Sequence, residues 1–283
     1  MGTTITLTSD TDTLVITGDD PNAGATYDKL DGWYEVDADL RFEKRPSAPG
    51  AFAPARTYAN ERPVSVEGQY FGSDRADALT MRERLTGLYS DGAPVTMTVA
   101  DDLRTTSREV HVESVKIRWT VRQEFAFTID VKAADPRRYA PAGSDSTRLR
   151  APGGGLAFPL TFALDFGAVG EDGRVTIVNG GNAATSSEFT VGGGEMLDGF
   201  VLANVETGQR ITYIGPVAAG TTVVIDTALR TAFINGTSPG SRYLSAPQWW
   251  DVPAKATRSV QLLARGPVTG SPTLTAVTAS AYY

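Results

Sequence analysis

Two consecutive arms between residues 115 and 131 alternate apolar and polar side chains. Val115, Ile117, Trp119 and Val121 are separated by Lys116, Arg118 and Thr120; Phe125, Phe127, Ile129 and Val131 are separated by Ala126, Thr128 and Asp130. A period of two belongs to a strand with one buried face, so the segment predicts a β-hairpin. Opposed residues must share a face. That condition pairs Val121 with Phe125, Trp119 with Phe127, Ile117 with Ile129 and Lys116 with Asp130, about a turn at Arg122-Gln123-Glu124.

The period changes between Tyr70 and Pro94, where Ala78, Met81, Leu85, Leu88 and Tyr89 recur at three- and four-residue spacings. This predicts one helix, capped by Ser73 or Asp74, stopped at Asp91-Gly92 and packed on a sheet by a single apolar stripe. Val64-x-Val66 and Val95-x-Met97-x-Val99 read as flanking strands. From Phe42 to Pro63 there is no period, and Pro46, Pro49, Pro54 and Pro63 punctuate a long excursion of the kind that serves a function or is ordered by a partner. Further on, Leu160 to Phe166, Val175-x-Ile177, Val201 to Val205, Ile211 to Ile214, Val223 to Ile225, Ala232 to Ile234 and Val260 to Leu263 are short apolar or alternating runs separated by Gly, Asn and Thr. The fold class expected is mainly β: an N-terminal β-sandwich or open barrel with one packed helix, then an antiparallel sandwich of jelly-roll type.

Composition divides the chain at the same place. Residues 1–140 carry 17 Lys and Arg against 23 Asp and Glu, a net charge of −6, whereas 141–283 carry 9 against 10. With 283 residues in all, this predicts a first domain over 1–140, a linker over 141–157 marked by Pro141-Ala142-Gly143 and Gly153-Gly154-Gly155, and a second domain over 158–283. The absence of Cys removes disulfides, thiolate metal sites and cysteine nucleophiles, and one His leaves a single imidazole for acid–base work. A net charge of −7 argues against a nucleic-acid-binding surface, which needs clustered Lys and Arg. The first twenty residues show neither the basic nor the apolar region of a signal peptide, and no run reaches the length of a membrane span.

Few residues suggest chemistry. His111 lies in an alternating strand, Glu109-Val110-His111-Val112-Glu113, and reads as a half-exposed strand residue. Asp10, Asp12, Asp19 and Asp20 suggest a calcium loop, but counting from Asp10 places Leu14 and Val15 at the fifth and sixth positions and Pro21 at the twelfth, where oxygen, Gly and Glu are required. They read as solvated turns. Asn235-Gly236 reads as a tight hairpin turn. Trp249-Trp250 is the most aromatic spot; adjacent strand residues face opposite ways, so one indole is expected in the core and the other outside, where it would stack on a sugar or anchor a partner, the equal alternative being that both pack under a loop. No cofactor or metal is implied, and the scarcity of acids in the second domain speaks against a glycosidase carboxylate pair.

The segment Phe125 to Tyr139, FAFTIDVKAADPRRY, resembles the domain junction of siphophage distal tail proteins, the Dit family. Arg62-Pro63-Val64-Ser65-Val66-Glu67-Gly68 and Leu85-Thr86-Gly87-Leu88 are similar to its N-terminal ring domain; Asn179-Gly180, Gly199 to Gly208 and Thr222 to Arg230 are similar to its galectin-like C-terminal domain. The resemblance covers nearly the whole chain. It implies a non-enzymatic virion protein made in the host cytoplasm, without a membrane partner. Six copies would form a ring below the tail tube protein, with the second domains supporting the tail tip or receptor-binding proteins. DNA would pass through the ring without specific binding, a passage that the −6 balance of the first domain would ease. A carbohydrate-binding adhesin using Trp249 or Trp250 is the alternative, and a wall-degrading hydrolase a third reading that the single His disfavours.

Overall fold

Alternating segments in the first half close a sheet on itself. In the computed structural model, residues 2–18, 24–38, 40, 42–54, 57–150 and 172–283 are described, and the chain divides into one unit of Met1–Pro141 with Tyr282–Tyr283 and another of Ala142–Ala281. The first unit contains β1 (Thr4–Thr8), β2 (Thr13–Thr17), β3 (Ala25–Asp31), β4 (Glu43–Lys44), β5 (Ala51–Phe52), β6 (Arg62–Phe71), α1 (Arg75–Gly87), β7 (Val95–Ala100), β8 (Thr105–Val121), β9 (Glu124–Ala133) and β10 (Arg138–Tyr139). Seven strands run in the order β8-β7-β1-β2-β3-β6-β9, and β9 returns to β8, so the barrel is closed rather than open. One step is parallel, β2 to β3 through Thr17 and Thr26; β4 and β5 pair only with each other.

Closure depends on the length of β8. Its first part, Thr105–Val110, pairs with β7, and its second, from His111 onward, pairs with β9. Inward residues Ile5, Leu7, Leu14, Ile16, Val64, Val66, Val95, Met97, Val99, Val110, Phe127, Ile129 and Val131 are buried. Helix α1 is capped by Asp74, whose Oδ1 accepts from the Asp77 backbone N–H at 2.8 Å, and presents Ala78, Met81 and Leu85 to this core. Leu88 is buried beyond its end, whereas Tyr89 is exposed.

The predicted hairpin exists with its register corrected by two residues. Ile117 faces Phe127, Trp119 faces Phe125 and Val115 faces Ile129, with irregularities between Val112 and Ser114 and between Trp119 and Val121. The turn takes two residues, Arg122 and Gln123, and Thr120 is accommodated as a bulge. Because the shift is even from Val115 to Trp119, those side chains keep their faces; beyond the bulge Val121 moves by one, to Glu124, and is exposed rather than paired with Phe125. Lys116 now opposes Thr128 and still reaches Asp130 diagonally, at 2.8 Å.

The second unit stacks two antiparallel sheets. It contains β11 (Gly143–Arg148), β12 (Arg174–Asn179), β13 (Ser187–Glu195), β14 (Phe200–Asn204), β15 (Arg210–Tyr213), β16 (Val223–Asp226), β17 (Thr231–Ile234), β18 (Ser238–Pro239), β19 (Leu244–Ser245), β20 (Ala256–Ala264) and β21 (Thr269–Thr278). The sheet orders are β11-β21-β13-β16-β17-β18 and β12-β20-β14-β15-β19. Phe189, Phe200, Tyr213, Trp250, Val260 and Leu274 lie in the core of this unit. Gly143–Arg148, part of the segment read as linker, is a full edge strand on β21; the strand expected over 160–166 and the triplet Gly153-Gly154-Gly155 lie outside the described residues. Asn179 ends β12 as a satisfied buried amide. Its Nδ2 donates to the carbonyls of Ala183, Val252 and Pro253 at 2.7, 3.1 and 3.1 Å, and its Oδ1 accepts from the Gly181 and Ala281 backbone N–H groups at 3.0 and 3.3 Å. The last strand, β22 (Ala281–Tyr282), joins the first unit's sheet beside β10.

Candidate interaction surface at the barrel end

Where β9 stops, Pro136 has no N–H to continue a ladder, and the chain folds around Asp135. Its Oδ1 accepts from the backbone N–H and the Nε of Arg137, both at 2.9 Å; its Oδ2 accepts from Arg137 Nη2 at 2.8 Å and from the Tyr139 hydroxyl at 2.6 Å. Burial by itself would raise the Asp135 carboxyl, but these bonds outweigh it and hold the group below the usual carboxylate range. Arg138 turns the other way. Its guanidinium lies 4.7 Å from the Tyr34 ring centre and donates Nη2 and Nε to the Tyr283 carbonyl at 2.9 and 3.3 Å. The Tyr34 hydroxyl donates to Asp101 Oδ2 at 2.9 Å; burial, then this acceptor, pushes the phenol up to about 12. Arg104 covers the Tyr282 ring at 4.1 Å.

Besides this arginine and tyrosine lattice, the first unit buries polar side chains, Arg62, Thr106 and Arg108, within its apolar interior. Gly32 adopts φ +79°, and a Cβ there would stand 2.1 Å from the Pro63 carbonyl oxygen, so only glycine makes the turn that sends Trp33 inward. Trp33 is fully buried, with Arg108 at 4.8 Å from its ring centre. Arg108 follows the inward phase of β8, together with Thr106, Val110 and Val112, and is 2% exposed; its Nη1 donates to the Gly32 carbonyl at 3.4 Å. Arg62, 1% exposed, donates Nη1 to Asp37 Oδ2 at 3.3 Å. Burial, followed by the like charges of Arg62 and Arg138, lowers the Arg108 pKa to about 10.

The chain that follows Trp33 exposes several large apolar side chains among its charged ones. From Tyr34 to Asn60 the only described ladder between strands is the two-residue pairing of β4 and β5, while Tyr34, Val36, Leu40, Phe42, Phe52 and Tyr58 are all exposed. Arg45 lies 5.2 Å from the Phe52 ring centre.

No protein-family model and no curated protein matches the sequence. Solved structures do match. The SPP1 Dit protein, described as a paradigm of the hub adsorption apparatus in phages that infect Gram-positive bacteria, aligns over 99% of this chain and 99% of its own with a TM-score of 0.66 at 11% identity. The fold is the Dit fold. Chains of the phage P2 baseplate in its activated conformation align as well, with Ca over 98% of both chains at a TM-score of 0.58 and 10% identity, and with Sr over 96% of this chain and 97% of that one at 0.55 and 9%.

Within the Dit fold the residues singled out by sequence are scattered. Trp250 is 6% exposed and sits in the second unit's core, its ring centre 6.1 Å from that of Phe189. Trp249 is half-buried at the edge of the same core, and its carbonyl accepts from Gln209 Nε2 at 3.2 Å. His111 is exposed; Nδ1 donates to the Gly92 carbonyl at 3.3 Å, and its ring borders a groove of about 420 Å³ shared with Ser107, Glu109, Asp135 and Tyr139. Asp12 closes the turn between β1 and β2 and pairs with Arg84 of α1 at 2.7 Å; Asp19 and Asp20 lie outside the described residues. Among the described residues no group of three or more His, Cys, Asp or Glu could hold a metal ion, and no helix is long and apolar enough to cross a membrane. Sequence reading overlooked Arg62, Arg108 and Trp33. The available signal was the phase of the strand, which places Arg108 on the face of Val110.

Proposed function

We propose that this chain is a distal tail hub subunit of a long-tailed phage, a non-enzymatic protein whose copies form a ring, six by the family resemblance, joining the tail tube to the tip and supporting host-attachment parts. The observation that carries this reading is the end-to-end alignment with the SPP1 Dit protein, which spans both units rather than a single sandwich. Exposed apolar side chains between Tyr34 and Tyr58 support it. Large exposed apolar side chains gathered on one excursion mark an interaction site, and the described backbone pairing within this one is β4 with β5 and the Ala38–Ala59 bridge. In the assembled particle this arm contacts a neighbouring subunit or tail component, and the galectin-like second unit faces the tip.

Mass measurement of the purified chain, alone and with the cognate tube protein, tests the proposal. Rings of defined copy number are expected, and the double substitution Phe42→Ser with Phe52→Ser should abolish them while leaving unfolding of the barrel unchanged, because both rings are exposed. A chain that stays monomeric with its tube protein, and is missing from purified particles, would refute it. The adhesin reading now depends on Trp249, whose half-buried indole is the one with an accessible edge; a glycan array probed with wild type and Trp249→Ala separates the two readings.

A further inference from the structure

Three buried side chains at the barrel end point hydrogen-bond donors at no acceptor. Arg108 Nε and Nη2, Arg62 Nε and Trp33 Nε1 are all buried, and among the described residues none has a partner. All four are N–H donors, and they belong to neighbours: Arg108 lies on the Trp33 ring at 4.8 Å, and the charges of Arg62 and Arg108 act on each other. Thr106 Oγ1, two residues before Arg108 on the same inward face, is also without a partner.

Nε and Nη2 form the edge of a guanidinium that offers two parallel N–H bonds, spaced to match two oxygens of one oxyanion. Elsewhere this chain uses that edge so. Arg84 places Nε and Nη2 on the two oxygens of Asp12 at 2.7 and 3.0 Å, and Arg137 places its pair on Asp135 at 2.9 and 2.8 Å. We propose that the interior end of the barrel binds a small free oxyanion of the phosphate or sulfate class, held by the Nε–Nη2 edge of Arg108 with Arg62 Nε and Trp33 Nε1 as further donors.

The charge balance favours a partner of this kind. Among the described residues, the two guanidinium groups, each within 2% of full burial, have one paired carboxylate, Asp37, whose side chain is 75% exposed and which bonds to Arg62. The other carboxylates acting on Arg108 are Asp135, whose oxygens are taken by Arg137 and Tyr139, and Glu35, which is exposed; Arg138 adds a further positive charge. An uncompensated buried charge is strongly destabilising. An oxyanion would neutralise it and tie β6, β8 and the Gly32–Trp33 turn together.

The test is calorimetric titration of the full-length protein with inorganic phosphate, sulfate and acetate, each against sodium chloride at matched ionic strength, with thermal unfolding followed in parallel. One saturable site per chain is expected for phosphate or sulfate. At a hundredfold excess over the dissociation constant, the folded-to-unfolded ratio of the first unit should rise about a hundredfold. Arg108→Lys keeps the charge and loses the fork, so affinity should fall at least tenfold, whereas Arg84→Lys, whose fork serves Asp12, should bind as wild type. Should Arg108→Lys not fold, Trp33→Phe keeps the ring and removes one donor, and a severalfold weaker phosphate affinity is expected. The proposal is overturned by wild type showing no saturable heat, by stabilisation that follows ionic strength whatever the anion, or by undiminished affinity in either Arg108→Lys or Trp33→Phe.

Discussion

Replacing Trp250 tests whether this indole is core or contact surface. A tryptophan buries up to about 250 Å², which at about 25 cal/mol per Å² corresponds to about 6 kcal/mol of transfer free energy; measured aromatic-to-alanine changes in cores run to about 3–5 kcal/mol. Trp250 is 6% exposed, and its Nε1 is buried without a partner. Removing that unsatisfied donor returns about 1–3 kcal/mol. Trp250→Ala should therefore cost about 2–3 kcal/mol, and Trp250→Phe, which keeps a ring against Phe189 and drops the orphan N–H, should fall within about 1 kcal/mol of wild type. Urea unfolding followed by circular dichroism reads both. With a slope of about 2 kcal/mol per M, the alanine variant lowers the midpoint of the second unit by about 1–1.5 M, and the transition of the barrel stays in place. Midpoints unchanged in Trp250→Ala, coupled to loss of sugar binding, would show the indole to be a contact residue and refute the packing argument.

Asn179→Ala strands the carbonyls of Ala183 and Pro253 and two backbone N–H groups at the end of β12, whereas the Val252 carbonyl keeps the Thr185 N–H at 3.0 Å; it should cost about 2–4 kcal/mol in the same urea assay, and a loss below about 0.5 kcal/mol would mean that water replaces the amide. Gly32→Ala meets both a left-handed backbone, worth about 1–2 kcal/mol, and a Cβ 2.1 Å from the Pro63 oxygen, so it should destabilise the barrel by more than the backbone term alone; thermal unfolding at the wild-type temperature would contradict the turn. In acid the barrel should weaken before the sandwich. Asp12, Asp77, Asp101, Asp130 and Asp135, all in the first unit, are held below the usual carboxylate range. Groups with lowered folded-state pKa contribute stability above the unfolded value, and it is lost as pH falls through the folded one. The midpoint of the first unit should thus stay flat down to about pH 5 and decline below about pH 4, less steeply in Asp130→Asn; a rise in stability over that interval would contradict the assignment.

The period of the sequence carried most of the fold. Strands with one buried face, such as Val95–Ala100 and Glu124–Ala133, are legible because burial imposes alternation, and α1 because three apolar side chains mark one stripe. Tyr89 fits the stripe yet lies exposed, since the helix ends at Gly87 and the spacing rule loses its meaning there. Register was less accessible. From Val115 to Trp119, a hairpin with a two-residue turn and a bulge at Thr120 satisfies the same face rule as one with a three-residue turn and no bulge, so face matching cannot separate shifts of two; Val121 alone changes face, to oppose Glu124. Edge strand Gly143–Arg148 has five exposed residues out of six and little apolar content, and a strand that buries almost nothing leaves almost no pattern.

The barrel end was hidden for a different reason. Residue type and strand phase disagree at Arg108: an arginine is expected outside, whereas the alternation Thr106, Arg108, Val110, Val112 places it inside. Phase prevailed, because moving one side chain of a paired strand to the other face requires shifting the strand by one residue or bulging it, which would expose Val110 and Val112 or break the ladder to β7. The cost of burying the guanidinium is thereby imposed by its neighbours in the strand rather than chosen locally. A barrel that keeps two such residues buried, Arg108 against the Trp33 indole and Arg62 bonded to Asp37, holds its positive charge in a fixed place, and that fixity is what a surface arginine on a free side chain lacks.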